Sequence, residues 1–484
     1  MKKIIIFLLF VGIFSSCQKF LDEVPKDFIP KVKFYKNQAD ADAAIAGVYS
    51  TFGTDYFGIK YFYFLELHAD FLNGYGSFTP MSNFGILLDQ NAINDAGQNW
   101  LTFYQAINRA NAVLDNVPKI SNMSDDSKTR ILAEAHFLRA MAYFNLVRGW
   151  GPVPIKITES VDITKLASPR EPESKVYDLI IADALAAETD LPLSVGNETE
   201  RASKWTAKML LAQLYLTIGN WSQAAEKAND IIENGNFTLV TVKKADDFYK
   251  IFATETNSED IMSVHHSSTK QSNIQPYLHR PNTPPYNYGS AGYTALLPLM
   301  TSFIGNSWDS KDLRKNFNLF TKYLGPNGDT VSLPATFPVL FKKYITDPNG
   351  LRIYSIPIYR YTEAFLIYAE ASAMADGTPS ELALNRLNMI KRRAYGYDPN
   401  VTSPVDYLSG MSKEAFRDTV LKERAYEFLI EGRRWWDLKR TGKVKEAIAK
   451  VGKDFIPERL FWPIPTEEIN NNPAIGQANQ NPGY

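Results

Sequence analysis

Residues 212–231, AQLYLTIGNWSQAAEKANDI, place small and aromatic side chains at a regular spacing. Small residues let two antiparallel helices approach closely, a glycine ends the first helix, and the large rings fill the space beside the turn. This stretch therefore predicts a pair of helices joined by a short turn. The positions that carry the pattern are Ala212, Tyr215, Gly219, Trp221, Ala224, Ala228 and Ile231.

The same spacing is that of the tetratricopeptide consensus. A looser copy covers residues 361–393, and two further candidate pairs join 127–149 with 174–191 and 413–439 with a helix from 443. Because solenoids normally need at least three units, four pairs are enough. We predict a mainly all-α fold, a tetratricopeptide-like superhelix of helical pairs, with its scaffold in residues 100–236 and 357–450.

The copies are separated by a long segment without helical periodicity. Residues 237–356 are rich in Pro, Gly, Asn, Ser and Tyr, and residues 53–84 are dense in aromatic rings and contain loop signals. A loop of such length is unusual in a compact domain unless it is functional. We predict that 53–84 and 237–356 form a loop-rich second lobe that captures a ligand, with short strands at 261–265 and 339–344.

Composition limits the classes of partner. The chain has 484 residues, with 52 Lys+Arg against 53 Asp+Glu, so it lacks the positive charge that non-specific nucleic-acid binding requires. Aromatic residues make up 13% of the chain, more than one core uses without leaving rings at the surface. We therefore do not expect nucleic acid as a partner. We expect a binding surface that contains aromatic rings.

The N-terminus has the pattern of an export signal. Lys2 and Lys3 precede an apolar stretch, residues 4–14, that is too short to span a bilayer as a helix. Ser15 and Ser16 then precede Cys17, the only cysteine, as in a bacterial lipobox, although Phe14 departs from its usual aliphatic residue. We predict a lipoprotein signal peptide in residues 1–16 and a lipid anchor, such as palmitate, on Cys17. The alternative is an ordinary secretory signal with an incidental cysteine.

The sequence contains no recognised catalytic motif. Zincin, nucleophile-elbow, Walker and dinucleotide-binding patterns are absent, and the adjacent His265 and His266 would point to opposite faces of a strand. Glu423, Glu427 and Glu431 share one helix face, which favours a structural ion network with the arginines and lysines at 424, 433, 434, 439 and 440 over acid–base catalysis. We predict no enzymatic activity, no metal site and no cofactor.

Aromatic rings near amide and charged side chains are the remaining candidates for a functional site. Pyranose rings stack their apolar face on aromatic rings while polar side chains bind their hydroxyl groups. A hydrophobic peptide could use the same rings, so ring density alone does not identify a sugar. The candidate stacking residues are Tyr75, Phe78, Tyr286, Tyr288, Tyr293 and Trp308. The candidate hydroxyl-binding residues are Asn73, Arg280, Asn287 and Asp309.

Four stretches together resemble the SusD/RagB family of outer-membrane nutrient-binding lipoproteins. They are WLTFYQAINRAN at 100–111; AEAHFLRAMAYF at 133–144 with WGPVP at 150–154; ERAYEFLIEGRRWWDLKR at 423–440; and PIPTEEI at 463–469 with the terminal NPGY at 481–484. The resemblance implies a single domain over 17–484, built on four tetratricopeptide-like pairs. It also implies a lipid-anchored outer-membrane protein that faces the cell exterior.

The resemblance further implies a function. Members of this family bind glycans and pass them, without cleavage, to a TonB-dependent outer-membrane transporter, their partner. The shared motifs position helices and the chain end, so the resemblance does not identify which residues of this sequence bind the ligand. Three alternatives stay open: a peptide-binding lipoprotein of the same type, a tetratricopeptide-like protein-interaction scaffold, and a glycoside hydrolase.

Overall fold

The structure, a computed structural model, describes residues 34–52, 58–160, 167–252, 256–285, 294–345 and 350–484. Its α-helices are α1 (Gln38–Phe52), α2 (Ile59–Leu67), α3 (Gln90–Asn116), α4 (Asp125–Trp150), α5 (Glu173–Asp190), α6 (Lys204–Ile218), α7 (Trp221–Asn234), α8 (Tyr249–Phe252), α9 (Gln275–Leu278), α10 (Phe303–Asn306), α11 (Leu313–Asn318), α12 (Tyr361–Asp376), α13 (Glu381–Ala394), α14 (Lys413–Glu427), α15 (Arg434–Arg440), α16 (Val444–Lys450) and α17 (Thr466–Asn471). Its strands are β1 (Leu72–Gly74), β2 (Asp260–Val264), β3 (Leu296–Pro298), β4 (Leu319–Phe320), β5 (Lys322–Leu324), β6 (Thr330–Ser332), β7 (Leu340–Phe341) and β8 (Ile356–Arg360). The predicted mainly all-α fold is confirmed.

The long helices pack side by side in an array. Along it, α3 contacts α4, α4 contacts α5, α5 contacts α6, and α6 contacts α7. Helix α12 then packs on α7, and α13 and α14 pack on α12. The array therefore continues across the long segment between α7 and α12, which leaves it after residue 234 and rejoins it at residue 361.

The pair α6–α7 forms as its sequence predicts. Ala212, Ala224 and Ala228 are fully buried, which lets the two helices lie close together. Helix α6 ends at Gly219, whose φ of 77° lies in the left-handed region that glycine adopts without strain. The second predicted pair, α12–α13, repeats this arrangement with Gly377 at a φ of 77°.

The fourth predicted pair differs from expectation. The sequence predicts one helix over residues 413–439, but α14 ends at Glu427 and α15 begins only at Arg434. Gly432, with a φ of 70°, lies in the turn that separates the two helices. Because glycine favours that conformation, the chain changes direction there and does not continue as one helix.

Short antiparallel two-stranded sheets connect the loops. β1 pairs with β3, β2 with β8, β4 with β7 and β5 with β6. The strands predicted at 261–265 and 339–344 correspond to β2 and β7. All five residues of β2 and of β8 are buried, so this sheet lies inside the molecule and anchors the long segment to the helices.

Part of the predicted loop region 53–84 is a buried helix. In α2, seven of nine residues are buried, including Tyr61 and Phe64. The Tyr61 hydroxyl donates to Asn145 Oδ1, and the Phe64 ring meets Trp462 edge to face at 4.7 Å. A helix that is apolar on nearly every side belongs in the interior, and these rings are therefore core and not part of a ligand-capturing loop.

The chain end is tied to the middle of the molecule. Asn481 Nδ2 donates to the carbonyl oxygens of Trp150 (3.0 Å) and Trp462 (2.6 Å), and Arg170 donates to Asn481 Oδ1 at 2.7 Å. The Trp150 indole N–H donates to the carbonyl oxygen of Pro463 at 2.9 Å. The motifs around residues 150, 463 and 481 therefore hold one another in place, which is a structural role.

Candidate ligand-binding surface

The β1–β3 ladder positions Tyr75. Asn73 pairs with Leu297 in the register of the two strands, and the Tyr75 N–H donates to the carbonyl oxygen of Ala295 at 2.9 Å. Tyr75 therefore lies at the end of the ladder. Its side chain is 51% exposed, which leaves much of the ring in contact with solvent.

A tight turn after β1 requires glycine. A Cβ on Gly74 would lie 2.0 Å from the carbonyl oxygen of Phe78, so any other residue would push the turn apart. The Gly74 N–H donates to Ser82 Oγ at 2.8 Å, and the Thr79 hydroxyl donates to the Gly74 carbonyl oxygen at 3.3 Å. These contacts fix the backbone on which Tyr75 is displayed.

Tyr75, Arg280 and Phe337 together form what we call the aromatic–arginine surface. The rings of Tyr75 and Phe337 meet edge to face with centroids 5.5 Å apart. The Arg280 guanidinium lies 5.6 Å from the centroid of the Phe337 ring, within the range of a cation–π contact. No carboxylate among the described residues forms an ion pair with Arg280. The surface thus combines flat rings with a half-buried cation that can donate hydrogen bonds.

Other predicted residues lie nearby in different environments. Phe78 is half-buried and packs against Tyr63 and Tyr277, with centroids 5.1 and 5.7 Å apart. Asn73 is half-buried within β1. The predicted residues Cys17, Tyr286, Asn287, Tyr288 and Tyr293 lie outside the described residues.

The prediction that Trp308 stacks on a ligand is wrong. Its side chain is 4% exposed, and its ring stacks on Tyr426 with centroids 4.8 Å apart and planes 4° apart. Its indole N–H donates to Asp312 Oδ2 at 3.0 Å. The ring face and the indole N–H of Trp308 therefore both have partners inside the fold.

The neighbouring Asp309 is exposed and accepts a hydrogen bond from the Tyr395 hydroxyl at 3.1 Å.

Phe337 was not among the predicted site residues. Its backbone N–H donates to the carbonyl oxygen of Pro334 at 2.8 Å, so the ring follows a proline-initiated turn. An aromatic residue after a turn inside the predicted ligand-capturing lobe is the signal that could have identified it.

Glu423, Glu427 and Glu431 form the predicted ion network, and all three are buried. Arg314 donates to Glu423 at 2.8 Å and to Glu427 at 3.2 Å. Arg360 donates to Glu427 at 2.7 Å and to Glu431 at 2.9 Å. Glu423 and Glu427 lie on α14, but Glu431 lies in the turn after it and not on the same helix face as predicted. The three carboxylates therefore hold α14 and this turn against the long segment.

The expected cationic partners were wrong. The three glutamates pair with Arg314, Lys343, Arg360 and Arg393, which lie far from α14 in the sequence. The residues at 424, 434 and 440 pair instead with Asp437, Asp70 and Glu370, among others.

The electrostatics of the network oppose a catalytic role. Burial alone would raise the pKa of Glu427, but the guanidinium groups of Arg393, Arg360 and Arg314 hold that pKa well below its ordinary value. The pKa of Glu431 is also lowered, because Arg360 and Lys343 outweigh its burial. Carboxylates held ionised in this way are poor proton donors near neutral pH.

Within the described ranges, no group of three His, Cys, Asp or Glu residues could hold a metal ion. His265 Nδ1 lies 2.9 Å from Ser355 Oγ, and His266 Nδ1 lies 3.0 Å from the carbonyl oxygen of Tyr354. In the part of the chain that the structure describes, none of the helices has the length and apolar character needed to cross a membrane.

Two family models match different parts of the sequence. Residues 330–484 match the model of the SusD family, and residues 19–216 match a model described as starch-binding and associating with the outer membrane. Between them they cover the N-terminal helices and the three glutamates of the ion network.

Individual proteins match over nearly their whole length. The chain is 27% identical to SusD-like protein P38 of Formosa agariphila, covering 97% of each chain. A SusD superfamily protein from Parabacteroides distasonis has a similar structure, with a TM-score of 0.77, 25% identity and coverage of 92% of this chain and 99% of that one. A laminarin-binding SusD-like protein has a TM-score of 0.74 and 23% identity, with coverage of 93% and 100%.

Proposed function

Because this chain belongs to the SusD family, we propose that it is a cell-surface lipoprotein that captures oligosaccharides or polysaccharides and delivers them to a TonB-dependent outer-membrane transporter. The starch-binding description of one matching model and the laminarin binding of one structural relative support the ligand class. The observation that carries the proposal for this chain is the exposed ring of Tyr75 beside Phe337 and Arg280.

The chemistry of this surface suits a sugar. The apolar face of a pyranose covers an aromatic ring, and its hydroxyl groups accept hydrogen bonds from a guanidinium. Tyr75 presents such a ring with a hydroxyl group of its own, and Arg280 presents donors that no carboxylate of the described residues occupies. We propose that Tyr75 stacks on the sugar and that Arg280 binds its hydroxyl groups. Asn73, which lies two residues from Tyr75, is a further candidate for hydroxyl binding.

The test is binding to a panel of plant, host and microbial glycans, measured by retardation in polysaccharide-containing gels and by calorimetry. Tyr75→Ala should weaken binding of the recognised glycan by about 1–3 kcal/mol. Tyr75→Phe is the matched control, because it keeps the ring and should keep most of the affinity. Equal affinity of Tyr75→Ala, Arg280→Gln and the wild type would reject this surface as the ligand site.

We propose that the protein binds its glycan without cleaving it. Incubating the purified protein with the recognised polysaccharide should release no reducing ends. Their appearance at a rate that depends on protein concentration would favour the glycoside hydrolase alternative. Binding of peptides with no binding across the glycan panel would favour a peptide ligand for the same surface.

Anchoring and delivery have their own tests. Cys17→Ser should move the protein from the outer-membrane fraction to a soluble fraction, because the thiol that carries the lipid is lost. Protease treatment of whole cells should degrade the anchored wild-type protein if it faces the exterior. Purification of the intact lipoprotein in mild detergent should recover a large barrel transporter encoded beside it, and recovery of the lipoprotein alone would count against the delivery step.

A further inference from the structure

Tyr397 shares with Tyr75 a property that no other described aromatic residue has. Among the phenylalanine, tyrosine and tryptophan residues that the structure describes, only these two are exposed, Tyr75 at 51% and Tyr397 at 42%. The other described rings are buried or half-buried, as Trp308 is. Because an aromatic ring is among the side chains that gain most from burial, an exposed ring is a candidate for contact with a ligand. The observation that selects Tyr75 therefore also selects Tyr397.

Tyr397 lines a cleft of about 480 Å³ on the helical array. The lining comes from the loop 397–400, which follows α13, and from the segment 237–243, which follows α7. The helices α12 and α13 add the largely apolar side chains of Tyr361, Phe365 and Met389. The size lies within the range of about 300–1,000 Å³ that is usual for ligand pockets. The cleft shares no residue with the aromatic–arginine surface.

Hydrogen bonds hold the loop that carries Tyr397. The Tyr397 N–H donates to the carbonyl oxygen of Arg392 at 3.0 Å, and Arg392 Nη1 donates to the carbonyl oxygen of Pro399 at 2.9 Å. Lys243 Nζ donates to the carbonyl oxygen of Gly396 at 3.1 Å, which ties the segment 237–243 to this loop. The ring is therefore displayed on a fixed backbone, and a ligand that binds it has little main chain to order.

The cleft also offers polar groups that can bind a ligand. Within the described ranges, no hydrogen bond uses the Tyr397 hydroxyl, the Thr241 hydroxyl or the Asn400 side-chain amide, and all three residues are exposed. Each of these groups can both donate and accept. The charged residues of the lining are one cation, Lys243, and one anion, Asp398. The cleft therefore has no net positive charge with which to attract an anionic ligand.

We propose that this cleft is a second glycan-binding site, in which Tyr397 stacks on a neutral sugar while Thr241 and Asn400 bind its hydroxyl groups. A sugar has an apolar face for the ring and hydroxyl groups that donate and accept, which matches the lining. A purely apolar ligand would displace water from the polar groups without replacing their hydrogen bonds. The inference rests on the proposed function and extends it, because a polysaccharide that contacts two separate sites is held more strongly than one that contacts a single site.

The test uses the full-length protein in a detergent without a sugar headgroup, and neutral hexasaccharides from starch, laminarin, mannan, xylan and galactan. In the Tyr75→Ala protein, at least one of these hexasaccharides should still bind in calorimetry. Adding Tyr397→Ala should weaken that binding about tenfold or more, whereas adding Tyr397→Phe keeps the ring and should keep most of the affinity. Leu408→Ala, which shortens an exposed side chain outside the cleft, should leave the affinity unchanged.

Fluorine NMR of protein labelled with 3-fluorotyrosine observes the cleft directly. The resonance of Tyr397 is the one that disappears from the spectrum of Tyr397→Phe. A hexasaccharide that binds should shift this resonance in the wild type and in Tyr75→Ala alike. A hexasaccharide of polygalacturonate, which is anionic, should not shift it, and equal binding of the anionic and neutral sugars in this cleft would overturn the proposed ligand class.

The outcomes distinguish this inference from the proposed function. If Tyr75→Ala abolishes glycan binding and the Tyr397 resonance does not move in the wild type, the aromatic–arginine surface is supported and the second site is refuted. If Tyr397→Ala weakens binding and Tyr75→Ala does not, the cleft is supported and the aromatic–arginine surface is rejected. If none of the neutral hexasaccharides binds the wild type or moves the Tyr397 resonance, both are rejected.

Discussion

Replacing Glu427 by glutamine removes the centre of the buried ion network. Glu427 accepts hydrogen bonds from Arg360 at 2.7 Å, from Arg314 at 3.2 Å and from Arg393, and it is buried. Because glutamine is neutral, the three guanidinium groups lose one buried negative charge. Removal of one partner from a buried ion pair costs about 3–5 kcal/mol, and we expect the free energy of unfolding to fall by that amount.

Urea unfolding of the chain lacking residues 1–17, followed by tryptophan fluorescence at a series of pH values, measures this loss. The arginines hold the pKa of Glu427 below its ordinary value of 4.5, despite its burial, so its contribution is complete above that pH. The contribution is lost as the pH falls through the lower folded pKa. The difference between wild type and Glu427→Gln should therefore be constant near neutral pH and shrink in acid.

The matched control is Glu446→Gln, which removes an exposed carboxylate that pairs with Lys450 at 2.6 Å. Surface pairs of this kind contribute little, and we expect a change of less than about 1 kcal/mol. A loss below about 1 kcal/mol for Glu427→Gln, with an unchanged denaturant slope, would refute the view that this network holds the fold. A difference that stays constant down to about pH 3 would refute the assignment of the lowered pKa.

Three further changes test the roles of Trp308, Gly74 and Glu66. Trp308→Ala should lower the free energy of unfolding by about 3–5 kcal/mol in urea titrations, because it empties a buried stack, and should leave glycan affinity in calorimetry nearly unchanged. Gly74→Ala should lower both the melting temperature and the glycan affinity, because its Cβ would meet the carbonyl oxygen of Phe78. Burial raises the pKa of Glu66 to about 8, so wild-type stability should decline as the pH rises from 4.5 to about 8. Glu66→Gln should remove that part of the decline in urea midpoints, and an identical decline in the variant would contradict this cause.

Local patterns in the sequence predict the helical pairs well. The spacing from Ala212 to Ile231 depends only on neighbours within one turn or two, and α6 ends and α7 begins at the turn where this spacing places them. The same reasoning fails for α2, because a helix with apolar residues on nearly every side has no stripe that separates it from an aromatic loop.

Burial of individual rings depends on partners that are distant in the sequence. In the sequence, Trp308 has the features of a ligand-stacking residue in a loop. In the structure, Tyr426 of α14 covers the face of its ring. The ion network has the same origin, since Arg314 and Arg360 reach Glu427 from the long segment. A spacing rule that uses neighbours along the chain cannot supply such contacts, and it therefore cannot rank Tyr75 above Trp308.

The helical scaffold and the proposed ligand surface differ in whether their polar and aromatic groups have partners inside the fold. Glu423, Glu427 and Glu431 and the ring of Trp308 have side-chain partners inside the fold, so changing them should lower stability and leave ligand binding nearly unchanged. Tyr75 is exposed and Arg280 is half-buried, and both contact Phe337, so changing them should lower affinity and have little effect on stability. Because the helical scaffold depends little on these residues, substitutions at such loop positions should change ligand preference without disturbing that scaffold.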